Sequence, residues 1–188
     1  MNKKITTLFK LYPKSLLQLE DCDIEYKLIT KSTISSQILL ENKKSVAFLL
    51  FSNKISITNK LIPTVLNIIS TRISNFYQSV RSGQNCVLNV DKSAFIQNYG
   101  KAIVMINPIN IKINETFFQH NSDNVVHAKF IDDCLYDEQR NISITNNEFE
   151  SAMGNDICIE GIRNPKLNLS LFINKNNFLN NNTDGVLI

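Results

Sequence analysis

Residues 141–161 read NISITNNEFESAMGNDICIEG, and residues 168–188 read NLSLFINKNNFLNNNTDGVLI. Both stretches share one pattern: two apolar residues separated by one position, a phenylalanine five residues later, and apolar residues eight and ten positions after that phenylalanine. Alternating apolar residues have the two-residue period of a β-strand, and no apolar stripe at helical spacing accompanies them. The two stretches therefore predict a repeating unit of short strands and bends.

A shorter form of the template, two alternating apolar residues and a further apolar residue five positions later, recurs upstream, so that seven copies cover nearly the whole chain. The phenylalanine and the apolar residues eight and ten positions after it are shared by the last four copies. The copies are Leu17-Leu19-Ile24, Phe48-Leu50-Ile55, Leu66-Ile68-Ile73, Leu88-Val90-Phe95, Ile111-Ile113-Phe118, Ile142-Ile144-Phe149 and Leu171-Ile173-Phe178. If the copies stack as turns of a solenoid, their equivalent side chains lie above one another. The pattern therefore predicts that Phe95, Phe118, Phe149 and Phe178 form one buried column.

Asparagine is abundant and recurs within the units. It stands three residues after the phenylalanine as Asn98, Asn121 and Asn181, whereas the sixth copy, with Phe149, has Ala152 there. Asparagine tolerates left-handed backbone, and its amide can bond to the same amide one turn away. We therefore expect asparagines at the bends and in amide ladders.

These units resemble turns of right-handed parallel β-helix proteins of the pectate-lyase-like superfamily. SAFIQNYGKAIV, residues 93–104, is similar to the Phe-x-x-Asn…Gly-Gly-Ala-Ile turn of polymorphic outer-membrane-type repeats, with Lys101 in place of the second glycine. The resemblance covers about residues 15–188. It implies an all-β fold, a single-stranded right-handed parallel β-helix of about six to seven turns. Residues 1–14 would form a basic N-terminal arm or cap.

Composition restricts the function classes. The 188 residues are 43% hydrophobic and 20% charged, which is the balance of one globular domain. No apolar run is long enough for a membrane span, and a net charge of +3 is too small to indicate nucleic-acid binding. No signal peptide is visible, which slightly favours a cytoplasmic protein, but a secreted protein whose export signal has been removed fits the sequence as well.

Cysteines and histidines give no sign of a metal or a cofactor. The four cysteines contain no Cys-x-x-Cys pair and are expected to be free thiols. His120 and His127 are the only histidines, and alternation around Val126 and Ala128 points His127 outward. We expect both histidines to be exposed, without an acidic partner. The sequence predicts no metal site and no cofactor.

Two insertions, residues 129–140 and 160–167, lengthen neighbouring units at the same point of the turn. They should therefore emerge side by side, where solenoids often carry function. Their charged residues are the predicted binding residues for a glycan or a protein partner. These residues are Asp132, Asp133, Asp137, Glu138, Arg163 and Lys166. The sequence favours the simpler interpretation, a pair of surface loops with a screened salt bridge between them, over such a site.

The sequence stops at Ile188, inside a predicted strand. An open turn presents unpaired backbone and apolar core, so either the end turn is blunted in another way, or the chain is part of a longer polypeptide, or a second chain covers the edge. We therefore expect a protein partner or self-association at this end. The preferred function is thus a non-catalytic β-helix scaffold that acts in protein or glycan recognition or in assembly.

The resemblance also implies an alternative: a carbohydrate-active enzyme (polysaccharide lyase or glycoside hydrolase), or an inactive relative or fragment of one. Polygalacturonase-like hydrolases carry an Asn-Thr-Asp-Gly turn, then an Asp-Asp pair, Gly-His-Gly and Arg-x-Lys. Residues 182–185 match the first motif, but Asp132-Asp133 precedes it and the last two motifs are absent. No catalytic residue is predicted. Asp184, Asp132 and Asp133 are the candidates that an enzyme would use as paired carboxylates.

Overall fold

The computed structural model describes residues 6–12, 15–25, 45–50, 63–131, 139–150, 152–162, 167–181, 183 and 185–188. These residues form strands and bends, with no helix among them, and the strands lie in three sheets. Sheet A contains β1 (Thr6–Leu11), β4 (Ser45–Leu50), β7 (Gln78–Ser82), β10 (Ile103–Ile106), β13 (Val126–Lys129), β16 (Ile157–Glu160) and β19 (Val186–Leu187). Sheet B contains β2 (Leu16–Glu20), β5 (Thr64–Ile69), β8 (Cys86–Asp91), β11 (Asn110–Asn114), β14 (Arg140–Thr145) and β17 (Leu169–Asn174). Sheet C contains β3 (Asp23–Glu25), β6 (Arg72–Ser74), β9 (Ala94–Ile96), β12 (Phe117–Gln119), β15 (Glu148–Glu150) and β18 (Asn177–Leu179).

Neighbouring strands in each sheet are parallel and lie three strands apart along the chain. The chain thus passes through sheets A, B and C in turn and returns to sheet A beside the strand that it left. We call one such passage a coil. Parallel strands need long connections, and here the other two sheets supply them. The predicted all-β fold with parallel pairing is confirmed, and it is compatible with a parallel β-solenoid.

The core lies between the three sheets and is built from columns of like side chains. In sheet B, Leu66, Leu88, Ile111 and Ile142 follow one another in register, and each is almost fully buried. Along each strand the burial alternates, as in β8, because successive side chains point to opposite faces. The repeat of the sequence is therefore the repeat of the core.

The predicted phenylalanine column is confirmed in sheet C. The ring centroids of Phe95 and Phe118 are 5.2 Å apart, those of Phe118 and Phe149 are 4.8 Å apart, and the planes lie within 12° of parallel. Phe178 continues the column at 5.2 Å from Phe149. Three of the rings are almost completely buried, and Phe178 is partly buried at the end of the column.

The second copy of the predicted repeat is wrong. β2 and β3 pair directly with β5 and β6, so the first and third copies are neighbours in space. Phe48 and Leu50 lie on β4 in sheet A, opposite Val80 and Ser82. An apolar pair at strand spacing occurs in every sheet of this fold, so it does not reveal which sheet it belongs to.

Ile55 lies outside the described residues, as does the stretch 26–44. The boundary after residue 14 stays a prediction, and β1 lies within the segment predicted as an arm or cap.

Left-handed backbone recurs at the bends, but asparagine is not its only carrier. Among the described residues, asparagine occupies five of the twelve non-glycine positions with positive φ. The bends between sheets B and C show that the position in the coil, and not the residue type, decides this conformation. The residues with positive φ there are Asp21, Ser70, Lys92, Glu115, Asn146 and Lys175. The coil geometry thus imposes this conformation at equivalent positions, whatever the side chain.

Amide ladders between coils are confirmed. The Nδ2 of Asn98 donates to the Oδ1 of Asn121 at 2.9 Å, and Asn147 bonds to Asn176 in the same way at 2.9 Å. Because a buried amide without a partner costs free energy, an asparagine stacked on an asparagine satisfies both groups.

The phenylalanine column gives a direct test of packing. Phe149→Ala removes a fully buried ring with neighbours on both sides, and we expect it to lower the free energy of unfolding by about 3–5 kcal/mol. Tyr99→Ala is the control, because Tyr99 is an aromatic side chain that is 44% exposed and lies outside the last coil. Urea unfolding measures both. A loss below about 1 kcal/mol for Phe149→Ala would contradict the buried column.

Candidate functional site

The predicted binding residues fall outside the part of the chain that the structure describes. Asp132, Asp133, Asp137 and Glu138 lie in the stretch 132–138, Arg163 and Lys166 lie in 163–166, and Asp184 is also outside. Their assignment stays a prediction. The structure does describe where the two insertions begin, because β13 and β16 are neighbours and Lys129 lies opposite Glu160.

The first insertion returns to the coil at a buried arginine. The Nη1 of Arg140 donates to the carbonyl oxygens of Asn107 and Pro108, both at 2.7 Å, and its Nη2 donates to the Oδ1 of Asn85 at 3.2 Å. Asn85 and Asn107 form the bends between sheets A and B in the two preceding coils, with positive φ. Arg140 therefore ties the start of β14 to the bends of the coils below.

A polar cluster lies on the outer face of sheet A, at the point where the two insertions begin. Val126 and Ala128 face the core from β13, so His127 and Lys129 point outward; on β16, Ile157 and Ile159 place Cys158 and Glu160 outward. The register puts His127 beside Cys158 and Lys129 beside Glu160. Lys101, two residues before β10, reaches the cluster from the preceding coil. We call Lys101, His127, Lys129, Cys158 and Glu160 the outer cluster.

His127 is at the centre of this cluster and is only 7% exposed. Its Nδ1 lies 2.9 Å from the Nζ of Lys101, and its Nε2 lies 3.0 Å from the Oε1 of Glu160. Because an ammonium group only donates, Nδ1 accepts from Lys101 and the proton on Nε2 is donated to Glu160. Burial, reinforced by the charge of Lys101, lowers the pKa of His127, so the imidazole is neutral near pH 7.

Glu160 connects the members of the cluster. Its Oε2 accepts from the Nζ of Lys129 at 3.1 Å, while its Oε1 faces His127 and lies 3.8 Å from the Sγ of Cys158. The hydrogen bond from Lys129 lowers the pKa of the Glu160 carboxyl, which is therefore ionised at neutral pH. The carboxylate thus offers one oxygen to the lysine and the other to the histidine and the thiol.

Cys158 is not a nucleophile in this arrangement. Its side chain is almost fully buried, and burial together with the charge of Glu160 raises the pKa of the thiol. A nucleophilic cysteine needs thiolate character and access, and both nitrogens of His127 are already engaged by other groups. In the structure Cys158 is a packed thiol whose Sγ lies 3.8 Å from the Oε1 of Glu160. Among the described residues, one group of three histidine, cysteine or acidic side chains has its possible ligand atoms within 4.8 Å of one another. This group is His127, Cys158 and Glu160.

The expectation for the histidines is half correct. His120 is exposed at a bend, as predicted, and His127 does point away from the core. The expectation that His127 is exposed and has no acidic partner is wrong, because Lys101 covers one nitrogen and Glu160 the other. The signal was present in the sequence. His127 and Cys158 both lie nine residues after their phenylalanine, so the repeat makes them neighbours.

A buried carboxyl lies where the asparagine ladder is interrupted. Asp156 is fully buried, and its Oδ2 accepts from the Nδ2 of Asn181 at 2.6 Å. Ala152 leaves the ladder position of that coil without an amide, and the Asp156 carboxyl provides an acceptor for Asn181 there. Burial raises the pKa of Asp156 to about 7.

Asp156 should make stability depend on pH. Its pKa is about 7 in the folded protein and about 4 in the unfolded chain, so the folded state binds more protons between these values. Stability should fall as pH rises from about 4 to 7 and stay reduced above that. Asp156→Asn removes this titration. The free energy of unfolding, measured with denaturant, should fall in the native chain but not in the variant between pH 5 and pH 8. We therefore expect the difference in this free energy, variant minus native, to be about 1–3 kcal/mol larger at pH 8 than at pH 5. If the free energies of unfolding of variant and native chain differ by the same amount at pH 5 and at pH 8, the raised pKa of Asp156 is contradicted.

The last coil described, β17 to β19, exposes apolar side chains. Leu171, Ile173 and Phe178 face inward and are only partly buried, whereas their neighbours one coil earlier are almost fully buried. Outward positions of the same coil carry Phe172 and Leu187, which are 54% and 45% exposed. This layer is the largest group of exposed apolar side chains in the described residues. Its strands β17, β18 and β19 each stand at the edge of a sheet, so among the described residues each pairs with a strand on one side only.

Comparison with known proteins finds no relative. No family model matches the chain, and neither a curated protein nor a solved structure matches it. Among the described residues, no helix has the length and apolar character of a membrane span.

Proposed function

We propose that this protein is a non-catalytic scaffold that assembles through the last coil, β17 to β19. In this proposal the chain is a right-handed parallel β-helix of about six to seven turns, similar to the pectate-lyase-like superfamily. The parallel pairing of strands three apart supports a helix, and crossovers between parallel strands of one sheet are right-handed in nearly all proteins.

The observation that carries the proposal is the exposure of inward-facing side chains. Ile144 and Phe149 are almost completely buried by the coil above them, but Ile173 and Phe178 in the next coil are only partly buried. Free strand edges next to apolar surface pair readily with another chain. A partner that continues the columns would bury both the backbone groups and the side chains.

The outward positions of the last coil favour a partner that also covers its rim. Ser143, Glu150 and Cys158 occupy outward positions of one coil. In the next coil, these positions are occupied by the exposed side chains of Phe172, Leu179 and Leu187. An apolar rim around an apolar end is typical of a protein interface.

A second copy of this chain is the partner that we propose. The first coil also presents partly buried, inward-facing side chains in the same columns, namely Leu17, Leu19 and Ile24. Head-to-tail stacking would place these residues on the column ends formed by Leu171, Ile173 and Phe178. Such contacts are heterologous, so they build chains of molecules rather than closed dimers.

Sedimentation velocity over a range of concentrations tests this function. We expect the native protein to form concentration-dependent oligomers and Ile173→Asp to weaken association at least about tenfold, because a carboxylate would be buried in the contact. Leu187→Asp tests the rim in the same way. Ser122→Asp, at an exposed bend far along the chain from this coil, is the control and should associate like the native protein.

A native protein that stays monomeric at all concentrations would contradict assembly through this end. Association that survives both Ile173→Asp and Leu187→Asp would contradict the assignment of the surface. Circular dichroism of each variant shows whether the fold is retained.

A further inference from the structure

We propose that His127, Cys158 and Glu160 form a zinc-binding site on the outer face of sheet A. The proposal does not rest on the proposed assembly, because its ligands lie on β13 and β16, although Cys158 is the neighbour of the rim residue Leu187 on β19. It would bind one divalent zinc ion and join two adjacent coils at the point where both insertions begin.

The geometry of the three side chains fits a tetrahedral ion. Donor atoms around zinc lie about 2.0–2.3 Å from the metal, so neighbouring donors are about 3.3–3.6 Å apart. The Oε1 of Glu160 lies 3.0 Å from the Nε2 of His127 and 3.8 Å from the Sγ of Cys158. All three donors lie within 4.8 Å of one another, so shifts of a few tenths of an ångström to about one ångström would complete the coordination.

The donor set selects the metal. One thiolate, one imidazole and one carboxylate are the three ligand types that zinc uses in proteins. Calcium and magnesium prefer oxygen ligands only, and a site with one thiolate and one imidazole disfavours both. A fourth position is open to water, because the Glu160 side chain is 43% exposed.

The surroundings hold the ligands in place. His127 and Cys158 lie in register on adjacent strands and are almost fully buried, so their positions are set by the sheet rather than by a loop. Lys129 donates to the Oε2 of Glu160, which leaves Oε1 for the metal. Outer hydrogen bonds of this kind orient ligands and raise metal affinity.

Lys101 is the group that opposes the metal. When Nε2 of His127 binds zinc, its proton moves to Nδ1, and Nδ1 then needs an acceptor rather than an ammonium group. The proton of the Cys158 thiol is released to solvent at the same time. Lys101 must then turn away into solvent, which its partly exposed side chain allows. The site therefore carries a specific expectation: Lys101→Gln supplies an acceptor oxygen, removes a positive charge and should tighten binding.

The test uses the full chain, freed of metal by chelation and titrated with zinc against a chromophoric indicator, and with cobalt(II) as a spectroscopic probe. We expect one metal ion per chain and a thiolate-to-cobalt charge-transfer absorption. His127→Asn and Cys158→Ser should each weaken binding at least about tenfold, and Cys158→Ser should abolish the absorption. Lys101→Gln should tighten binding several-fold. Glu160→Gln is a milder variant at an exposed side chain, and it tests the site if the other two reduce folding.

His120→Asn and Cys22→Ser are the matched controls, because both side chains lie outside the cluster, and they should bind like the native chain. The proposal is overturned if the native chain binds no zinc, or if the cobalt absorption persists in Cys158→Ser. It is also overturned if folded His127→Asn and Glu160→Gln bind zinc as tightly as the native chain. Oligomer formation is measured separately, so failure here leaves the assembly proposal unaffected.

Discussion

The stacking of like side chains in register, one coil above the next, is the interaction on which the other features depend. In sheet C the rings of Phe95, Phe118, Phe149 and Phe178 lie about one strand spacing apart and nearly parallel. Each coil is too short to bury its own apolar side chains, so it depends on the coils on either side. Parallel pairing fixes the register, and the register brings like side chains together. The exposed last coil is the place where this neighbour is not present among the described residues.

Polar groups obey the same register. Asn98 bonds to Asn121 and Asn147 bonds to Asn176, so amides that would be unsatisfied within one coil find partners in the next. Where Ala152 interrupts the ladder, the carboxyl of Asp156 accepts a hydrogen bond from Asn181. Because burial disfavours the charged carboxylate, the pKa of Asp156 is raised. On the outer face the register aligns His127 with Cys158 and Lys129 with Glu160. One geometric rule thus produces the core, the bends and the outer cluster.

The sequence predicted the features that repeat, and missed those that do not. The phenylalanine column followed from spacing, because five or six offsets agree in the last four copies. The copy at Phe48 was wrong, since an apolar pair at strand period occurs in sheet A as well as in sheet B. The pairing of His127 with Cys158 could have been read from their equal offsets. The contact from Lys101 could not, because a long flexible side chain reaches across a coil in a direction that spacing does not specify. The six charged residues of the insertions that were predicted to bind a partner lie outside the described part of the chain.

Nuclear Overhauser effects between backbone protons test the parallel coil most directly, because they report which residues are neighbours without altering the chain. The account predicts effects between Ile111 and Ile142 and between Ile142 and Leu171, in the pattern of parallel strands, together with ring contacts from Phe118 to both Phe95 and Phe149. Effects that instead join adjacent strands along the chain as antiparallel hairpins would contradict the stacked coil.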